Sequence, residues 1–265
     1  MIRASAAIGA MALACAAPAI AQLGATPSSP PPHGLGEGES AGYPKGHYAG
    51  LEELPDWGGI WFGQFRPGAG GGEQPKLKGQ FLAEYEAYRQ SVIDNDGVVP
   101  RSGTNCSPPG MPTIMQMFQY PYEFLFTPGR VTVNQEAYMQ TRTIWTDGRE
   151  HPPMEELDPT YMGHSIGHWE GDVLVVDTVA IEEHLDLQRG MGRSPELRVV
   201  ERIYLDPEDP DVLVNDMTLY DPIALEEPFN VTARYGRDRN GALIEFQCSE
   251  NDRNPVDEEG YTLFE

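Results

Sequence analysis

Short runs of alternating apolar and polar residues, broken by turn residues roughly every ten positions, fill the chain from about residue 120 onward. This spacing is typical of an antiparallel sandwich or barrel. Clear turns are predicted at Trp169–Asp172 and at Asn240-Gly241. The runs predict strands near Gly58–Phe65, Tyr120–Thr127, Arg130–Asn134, Tyr138–Thr146, Thr160–Trp169, Val173–Val179, Leu197–Leu205, Val212–Tyr220, Phe229–Tyr235 and Ala242–Cys248.

One segment has helical rather than strand periodicity. Over Lys78–Asp94, Phe81, Leu82, Tyr85 and Tyr88 recur at offsets of three and four on one face. A meander of about nine consecutive strands has two edge strands with unpaired backbone groups, and closure into a barrel pairs both edges. The predicted fold class is therefore all-β, an antiparallel meander closing into a lipocalin-like barrel or a bent sandwich, with one flanking helix.

The charge balance narrows the range of partners. The chain has 18 Lys and Arg against 41 Asp and Glu, a formal net charge of −23. Nucleic acid is not an expected partner, because phosphate binding needs clustered basic residues. Docking on an anionic membrane surface is disfavoured for the same reason. The expected partner is a small-molecule ligand or substrate.

The N-terminal sequence predicts export. Residues 1–21 contain Arg3, an Ala-rich apolar stretch and an A-x-A site ending at Ala21, which together are typical of a secretory signal peptide. Attachment of a lipid at Cys15 is a minor alternative. No later segment has the length of a membrane span. We therefore expect a soluble periplasmic or secreted protein after cleavage near Ala21.

The remaining chain divides simply. Residues 22–56 are rich in Pro, Gly and Ser and predict a flexible leader, and residues 57–265 predict a single barrel-like domain. Cys106 and Cys248 then remain as the two thiols of an exported chain, and a structural disulfide between them is expected. Two separately buried thiols are the alternative, because sequence does not show how close their Cα atoms lie.

One segment carries a family resemblance. Residues Gly163–Thr178, GHSIGHWEGDVLVVDT, resemble a group of exported, mostly uncharacterised bacterial proteins. The same resemblance extends over most of the mature chain, through CSPPGMP at Cys106–Pro112, YPYEF at Tyr120–Phe124, Asp147-Gly148-Arg149, Glu201-Arg202-Ile203 and Asp221-Pro222. It implies export and one continuous domain, and it brings no activity to any residue.

His164 and His168 are the first candidates for catalysis. Glycines interrupt their segment, so a helical two-histidine metal site is not expected. On a strand the two residues lie about 13 Å apart, too far to share a metal, and neither a metal nor a cofactor is expected. They alternate with Met162 and Ile166, which predicts that both imidazoles point into the barrel. They are interpreted as an acid/base pair lining a cavity, with hydrogen-bonded structural histidines as the alternative.

Two carboxylates occupy apolar strand faces. Alternation places Glu201 on the face of Leu197–Leu205 that also carries valine, leucine and isoleucine. A buried carboxylate is either paired, here with Arg142 or Arg149, or is a catalytic acid/base. Asp177 shares a face with valines and raises the same two possibilities, with orientation of a histidine as a third.

Further polar and aromatic residues are candidates for substrate binding. The segment YPYEFLF contains a carboxylate within an aromatic run, and a turn near Trp145 groups two arginines and an imidazole, a good place for anion-binding groups. Solvent-facing side chains are the alternative at both places. The candidates are Tyr122, Glu123, Arg142, Arg149, His151, Tyr161 and Trp169.

Several catalytic motifs are absent from the sequence, namely GxSxG, the P-loop and the Rossmann glycine pattern. The expected function is an exported barrel enzyme that performs cofactor-independent acid/base chemistry of a lyase or isomerase type. Its substrate is expected to be a small aromatic or carbohydrate-derived compound. A non-catalytic lipocalin-like carrier and a structural envelope protein are the competing hypotheses, because one barrel supports many functions.

Overall fold

The protein is described by a computed structural model that covers residues 50–64, 74–97, 107–183, 187 and 190–246. The predicted signal peptide with Cys15, the first part of the predicted leader, and both Cys106 and Cys248 lie outside these residues. Export and the disulfide therefore stay predictions.

Nine strands in this part of the chain form one closed barrel, with one helix beside it. The strands are β1 (Ile60–Gly63), β2 (Pro121–Thr127), β3 (Arg130–Gln135), β4 (Gln140–Trp145), β5 (His164–Glu170), β6 (Val173–Val179), β7 (Arg198–Leu205), β8 (Val212–Tyr220) and β9 (Phe229–Asp238), and the helix is α1 (Gly79–Asp94). β1 pairs with both β2 and β9, which closes the sheet. The predicted all-β barrel with one flanking helix is confirmed.

One junction departs from a simple meander. β4 and β5 pair in parallel, whereas every other neighbouring pair is antiparallel. Their register joins only Ile144 with Ser165 and Trp145 with Ile166. The connection, residues 146–163, must return along the barrel before β5 begins, because parallel strands cannot be joined by a tight turn. This junction between β4 and β5, called the seam below, is therefore held by few backbone hydrogen bonds.

The predicted strand at Ala242–Cys248 is wrong for its described residues, 242–246, which are not in a strand. The chain does bend at Arg239 and Asn240, where Asp238 Oδ1 accepts the backbone N–H groups of Asn240 and Gly241. β9 already pairs with β8 on one side and β1 on the other, so no edge is left for a further strand. Barrel closure thus overrides the local hairpin signal.

The helix face predicted from periodicity is only partly buried. Phe81 is buried and Tyr85 and Tyr88 are half-buried, but Leu82 is 39% exposed. Neither α1 nor the short helical turns of the described chain have the length and apolar character needed to cross a membrane.

The barrel interior is mostly apolar, but it encloses a buried ion pair. Arg142 of β4 and Glu201 of β7 are 2% and 0% exposed, and the guanidinium donates to both carboxylate oxygens. This confirms the predicted inward orientation of Glu201 and selects Arg142 over Arg149 as its partner. A buried charge is tolerated only when it is paired and hydrogen-bonded, and both conditions are met here.

Polar side chains from the intervening strands complete this network. Arg142 Nε donates to Ser165 Oγ on β5 (3.1 Å) and its Nη2 donates to Thr178 Oγ1 on β6 (2.8 Å). Asn215 on β8 donates to Glu201 Oε1 (2.9 Å). The network therefore links the five consecutive strands from β4 to β8 through side chains, including the two strands of the seam.

We expect Glu201→Gln to lower the free energy of unfolding by about 3–5 kcal/mol, because it leaves the Arg142 guanidinium buried without its counter-charge. Urea denaturation of the variant measures the loss. Replacing both partners, Arg142→Met with Glu201→Leu, is expected to cost less, because no buried charge remains and Ser165 and Thr178 still bond each other at 2.9 Å. A loss below roughly 1 kcal/mol for Glu201→Gln would show that the pair is not the main anchor of the barrel.

Candidate functional site

An open cleft of about 360 Å³ lies on the outside of the barrel at the seam. One wall is the outer face of β4, with Thr141, Thr143 and Trp145, while Arg142 and Ile144 between them point inward. The other wall is residues 160–165, which lead into β5. The cleft exists because β4 and β5 are paired over a short stretch only.

Gly163 places His164 at this wall. Its φ of +66° lies in the left-handed region, and a Cβ there would lie 2.6 Å from the carbonyl oxygen of Val179. Only glycine combines this backbone conformation with so close an approach to the neighbouring strand. The chain therefore enters β5 with the His164 side chain on the outer face, lining the cleft.

The connection between β4 and β5 brings a second histidine against the first. His151 Nδ1 lies 2.8 Å from His164 Nδ1, and the ring centroids are 5.0 Å apart. Two ring nitrogens at this distance share one proton, so one of them donates and the other accepts. His164 Nε2, the remaining nitrogen of that ring, has no hydrogen-bond partner within the described chain.

A carboxylate stands behind His151. Asp177 Oδ2 lies 3.9 Å from His151 Nε2, which is buried and makes no hydrogen bond within the described residues. Asp177 is also held by Arg198, whose Nε and Nη2 donate to it at 2.8 and 2.6 Å. The order of groups is thus Arg198, Asp177, His151, His164 and the cleft.

This order favours one tautomer for each histidine. The negative charge of Asp177 favours a proton on the facing His151 Nε2. Neutral His151 then has a lone pair on Nδ1, so His164 Nδ1 must be the donor of the shared hydrogen bond. His164 Nε2 is consequently left with a lone pair.

Both histidines are predominantly neutral at pH 7. Burial lowers the pKa of His151 below its ordinary 6.5, and this outweighs the attraction of Asp177, which raises it; Arg198 lowers it further. Burial also lowers the pKa of His164, assisted by repulsion from His151 and Arg149. A neutral His164 with a lone pair on Nε2 has the form that a general base requires.

The predicted inward orientation of the two histidines is wrong. On β5, Ser165 is buried inside the barrel, so His164 and His168 lie on the outer face. The prediction placed the face with the apolar residues Met162 and Ile166 inside the barrel, but the inner positions of β5 are polar or small. Ser165 receives the hydrogen bond of Arg142, and a Cβ on Gly167 would lie 2.9 Å from a methyl group of Ile144.

His168 does not reach the cleft residues. Its side chain is 65% exposed and contacts Glu170 at 3.3 Å, and Glu170 in turn pairs with Arg202. It forms part of a solvated charge cluster on the outer surface.

Several other predicted site residues lie inside the barrel instead. Glu201 and Arg142 form the buried ion pair, which corresponds to the anchoring alternative. Tyr122 is fully buried and donates to the carbonyl oxygen of Ile114 at 2.7 Å. Trp169 packs in an aromatic cluster, 5.4 Å from Trp57 between ring centroids.

The structure does bring part of the predicted set together. His151, His164 and Asp177 lie together beside the seam, and Tyr161 lines the cleft with His164. Arg149 stacks on Trp145 with its guanidinium carbon 3.8 Å from the ring centroid. Asp177 lies on the outer face, paired with Arg198 rather than buried among its valines. Asp177 is thus placed to orient a histidine, the third possibility raised by the sequence.

Glu123 faces outward, as its alternation opposite the aromatic rings predicts, and accepts from Asn134 Nδ2 at 3.1 Å. Sequence reasoning missed Thr141 and Thr143 as site residues. They could have been found from alternation along β4, because assigning Arg142 to the interior places the residues on either side of it on the outer face. No described group of three or more His, Cys, Asp or Glu residues is arranged to hold a metal ion.

No protein-family model and no curated protein matches this sequence. The resemblance of the Gly163–Thr178 segment to exported bacterial proteins therefore stays a prediction.

Proposed function

We propose that the protein is an enzyme that transfers a proton on a small molecule bound in the seam cleft, with His164 as the general base. The observation that carries the proposal is the 2.8 Å contact between His164 Nδ1 and His151 Nδ1, with Asp177 behind it. A histidine whose second nitrogen is oriented by a partner is the usual arrangement for acid/base catalysis.

The proposed step begins with a substrate proton moving to His164 Nε2, which leaves the electron pair of the broken bond on the substrate. The positive charge that develops on His164 is shared with His151 through the Nδ1 hydrogen bond, and Asp177 stabilises it there. Return of the proton to a different atom completes an isomerisation. Its delivery to a leaving group as a new double bond forms completes an elimination of the lyase type.

The surroundings of the pair support a base of moderate strength. The lowered pKa values keep both rings neutral near pH 7, so His164 does not need to lose a proton before it reacts. Positioned general bases contribute about 10²–10⁴-fold in rate. We infer a small aromatic or carbohydrate-derived substrate, because Trp145 and Tyr161 line the cleft together with threonine hydroxyls.

We also propose that the protein acts outside the cytoplasm. The Ala-rich stretch after Arg3 and the A-x-A site at Ala21 support export, and the formal charge of −23 supports a partner that is not a nucleic acid.

The charges behind His151 generate a first test. Asp177→Asn is expected to lower the pKa of His151, because the attraction that favours its protonated form is removed. Arg198→Gln is expected to raise that pKa, because it removes a repulsion and frees the full charge of Asp177. Titration of the His151 resonances by NMR measures both changes. Shifts of the same sign in the two variants would contradict the proposed arrangement.

A second test measures proton transfer without a known product. Aromatic and sugar-derived carbonyl compounds are incubated with the protein in D₂O, and deuterium incorporation is followed by mass spectrometry. His164→Gln is expected to slow incorporation by about 10²–10⁴-fold, while His168→Gln, on the same strand and face but outside the cleft, retains the wild-type rate.

The rate of deuterium incorporation should also fall on acidification, through a pKa below 6.5, because protonated His164 is not a base. Equal rates in the two histidine variants would refute the role of His164. A ligand that binds with no incorporation in the wild-type protein would favour a carrier.

A further inference from the structure

Three polar residues of the cleft, Gln140, Thr141 and His164, present acceptor atoms that the residues around them leave available. We infer from these acceptors that the cleft recognises an uncharged ring with neighbouring hydroxyl groups, as in a neutral sugar or a catechol-type phenol. The inference rests on the proposed function for the location of the site and the state of His164, and it adds the chemical class of the substrate.

The first of these residues is Thr141, whose orientation is set from outside the cleft. A carboxylate can only accept hydrogen bonds, so Glu123 requires the amide nitrogen of Asn134 to face it, at 3.1 Å. The amide oxygen of Asn134 then faces Thr141 and accepts its hydroxyl proton at 3.0 Å. Thr141 Oγ1 therefore keeps only lone pairs for a ligand.

Two more groups at the cleft are left as acceptors. Gln140 donates one Nε2 hydrogen to the carbonyl oxygen of Tyr138 at 2.9 Å and keeps its Oε1 as an acceptor, beside a second N–H. In the tautomer that the Asp177 charge favours, His164 donates its Nδ1 proton to His151, so its Nε2 has a lone pair. Acceptors at Gln140, Thr141 and His164 require a ligand that donates, and hydroxyl groups on adjacent carbons donate in several directions at once.

The charges around the cleft argue that this ligand is neutral. None of its described lining residues is Asp, Glu, Lys or Arg. The charged groups that act on the histidines are paired, Arg149 with Asp147 at 2.8 Å and Asp177 with Arg198 at 2.6 Å. A cationic ligand would find no carboxylate in the lining. An anionic ligand would find no Lys or Arg there, and it would also be repelled by a chain with a net charge of −23.

The size and walls of the cleft suit a single ring compound. Its volume of about 360 Å³ lies near the lower end of ligand pockets. Trp145 provides a flat apolar wall whose position is supported by the stacked Arg149 guanidinium. An apolar surface beside hydrogen-bond acceptors matches a ring that has apolar faces and a hydroxylated edge.

Binding of defined probes to the full chain tests the inference. Ligand-observed NMR is used with methyl β-glucoside, methyl β-xyloside and catechol as hydroxyl-bearing probes. Comparing the binding of the two glycosides with that of catechol shows whether the cleft prefers a sugar or a phenol. At least one of them is expected to bind. Two matched analogues of the glucoside are used with it, a deoxyfluoro derivative that cannot donate at one position and the glucuronide, which is an anion.

If the glucoside binds, its deoxyfluoro analogue is expected to bind about threefold to tenfold more weakly and its glucuronide at least about tenfold more weakly. If the probe that binds is the xyloside or catechol, the same two comparisons are made with its own deoxyfluoro and carboxylate analogues. No binding by any of the three hydroxyl-bearing probes would overturn the inference. Equal binding of a parent probe and either analogue would do the same.

A pair of threonine variants locates the binding. Thr141→Val is expected to weaken the bound probe about threefold to tenfold. Thr132→Val serves as the control, because Thr132 lies on the outer face of β3 but outside the cleft, and no change is expected. Equal affinities in the two variants would overturn the inference.

Glu123→Gln tests the positioning chain separately. It allows Asn134 to turn over, so the preference for the parent probe over its deoxyfluoro analogue should shrink although Glu123 does not line the cleft. An unchanged preference would overturn this assignment. Probe binding without deuterium incorporation contradicts only the proposed catalysis, whereas incorporation with no preference for hydroxyl donors contradicts only the substrate class.

Discussion

The buried pair of Arg142 and Glu201 is the interaction on which the barrel depends. The seam between β4 and β5 is joined through only two paired positions, so the sheet is weakest there. The Arg142 side chain spans this weakness from inside by bonding Ser165 on β5 while its guanidinium pairs with Glu201 on β7. Because the charges are fully enclosed, their pairing is strongly required, and the five strands they connect are held in one arrangement.

The same seam gives rise to the candidate site. Because the connection between β4 and β5 must return along the barrel, it carries His151 over the outer face of β5, where His164 lies. Because the two strands are paired only briefly, their outer faces leave a cleft beside His164. On the inside of the seam, polar side chains stabilise the barrel. On the outside, polar side chains line the cleft and would carry out the proposed chemistry. Ser165 lies between the two, since it accepts from Arg142 and also lines the cleft.

Much of the fold was predictable because most strands alternate strongly and are separated by turn residues. Glu201 was correctly assigned to the interior, since the residues around it on that face are apolar. The phase of β5 was not predictable from hydrophobicity, because its inner positions are the polar Ser165 and the small Gly167. The strand predicted after Asn240 does not form in residues 241–246, because β9 already pairs with β1 and β8 in the closed barrel.

The candidate site was predictable as a set of residue types but not as an arrangement. His151, His164 and Asp177 were all singled out, yet their contact depends on the parallel pairing of β4 and β5, which no local pattern encodes. Thr141 was missed because its role follows from Asn134 and Glu123 on two other strands. Contacts of this kind come from tertiary structure, and sequence periodicity describes only one strand at a time.

The central claim is that His164 presents an unprotonated Nε2 to the cleft because Asp177 and His151 hold its proton on Nδ1. Long-range ¹H–¹⁵N correlation spectra of the histidine side chains at neutral pH measure this directly, because the nitrogen shifts distinguish the two neutral tautomers. We predict a proton on Nδ1 of His164 and on Nε2 of His151, with the tautomer of His164 no longer biased in Asp177→Asn. A proton on Nε2 of His164 in the wild-type protein would contradict the account.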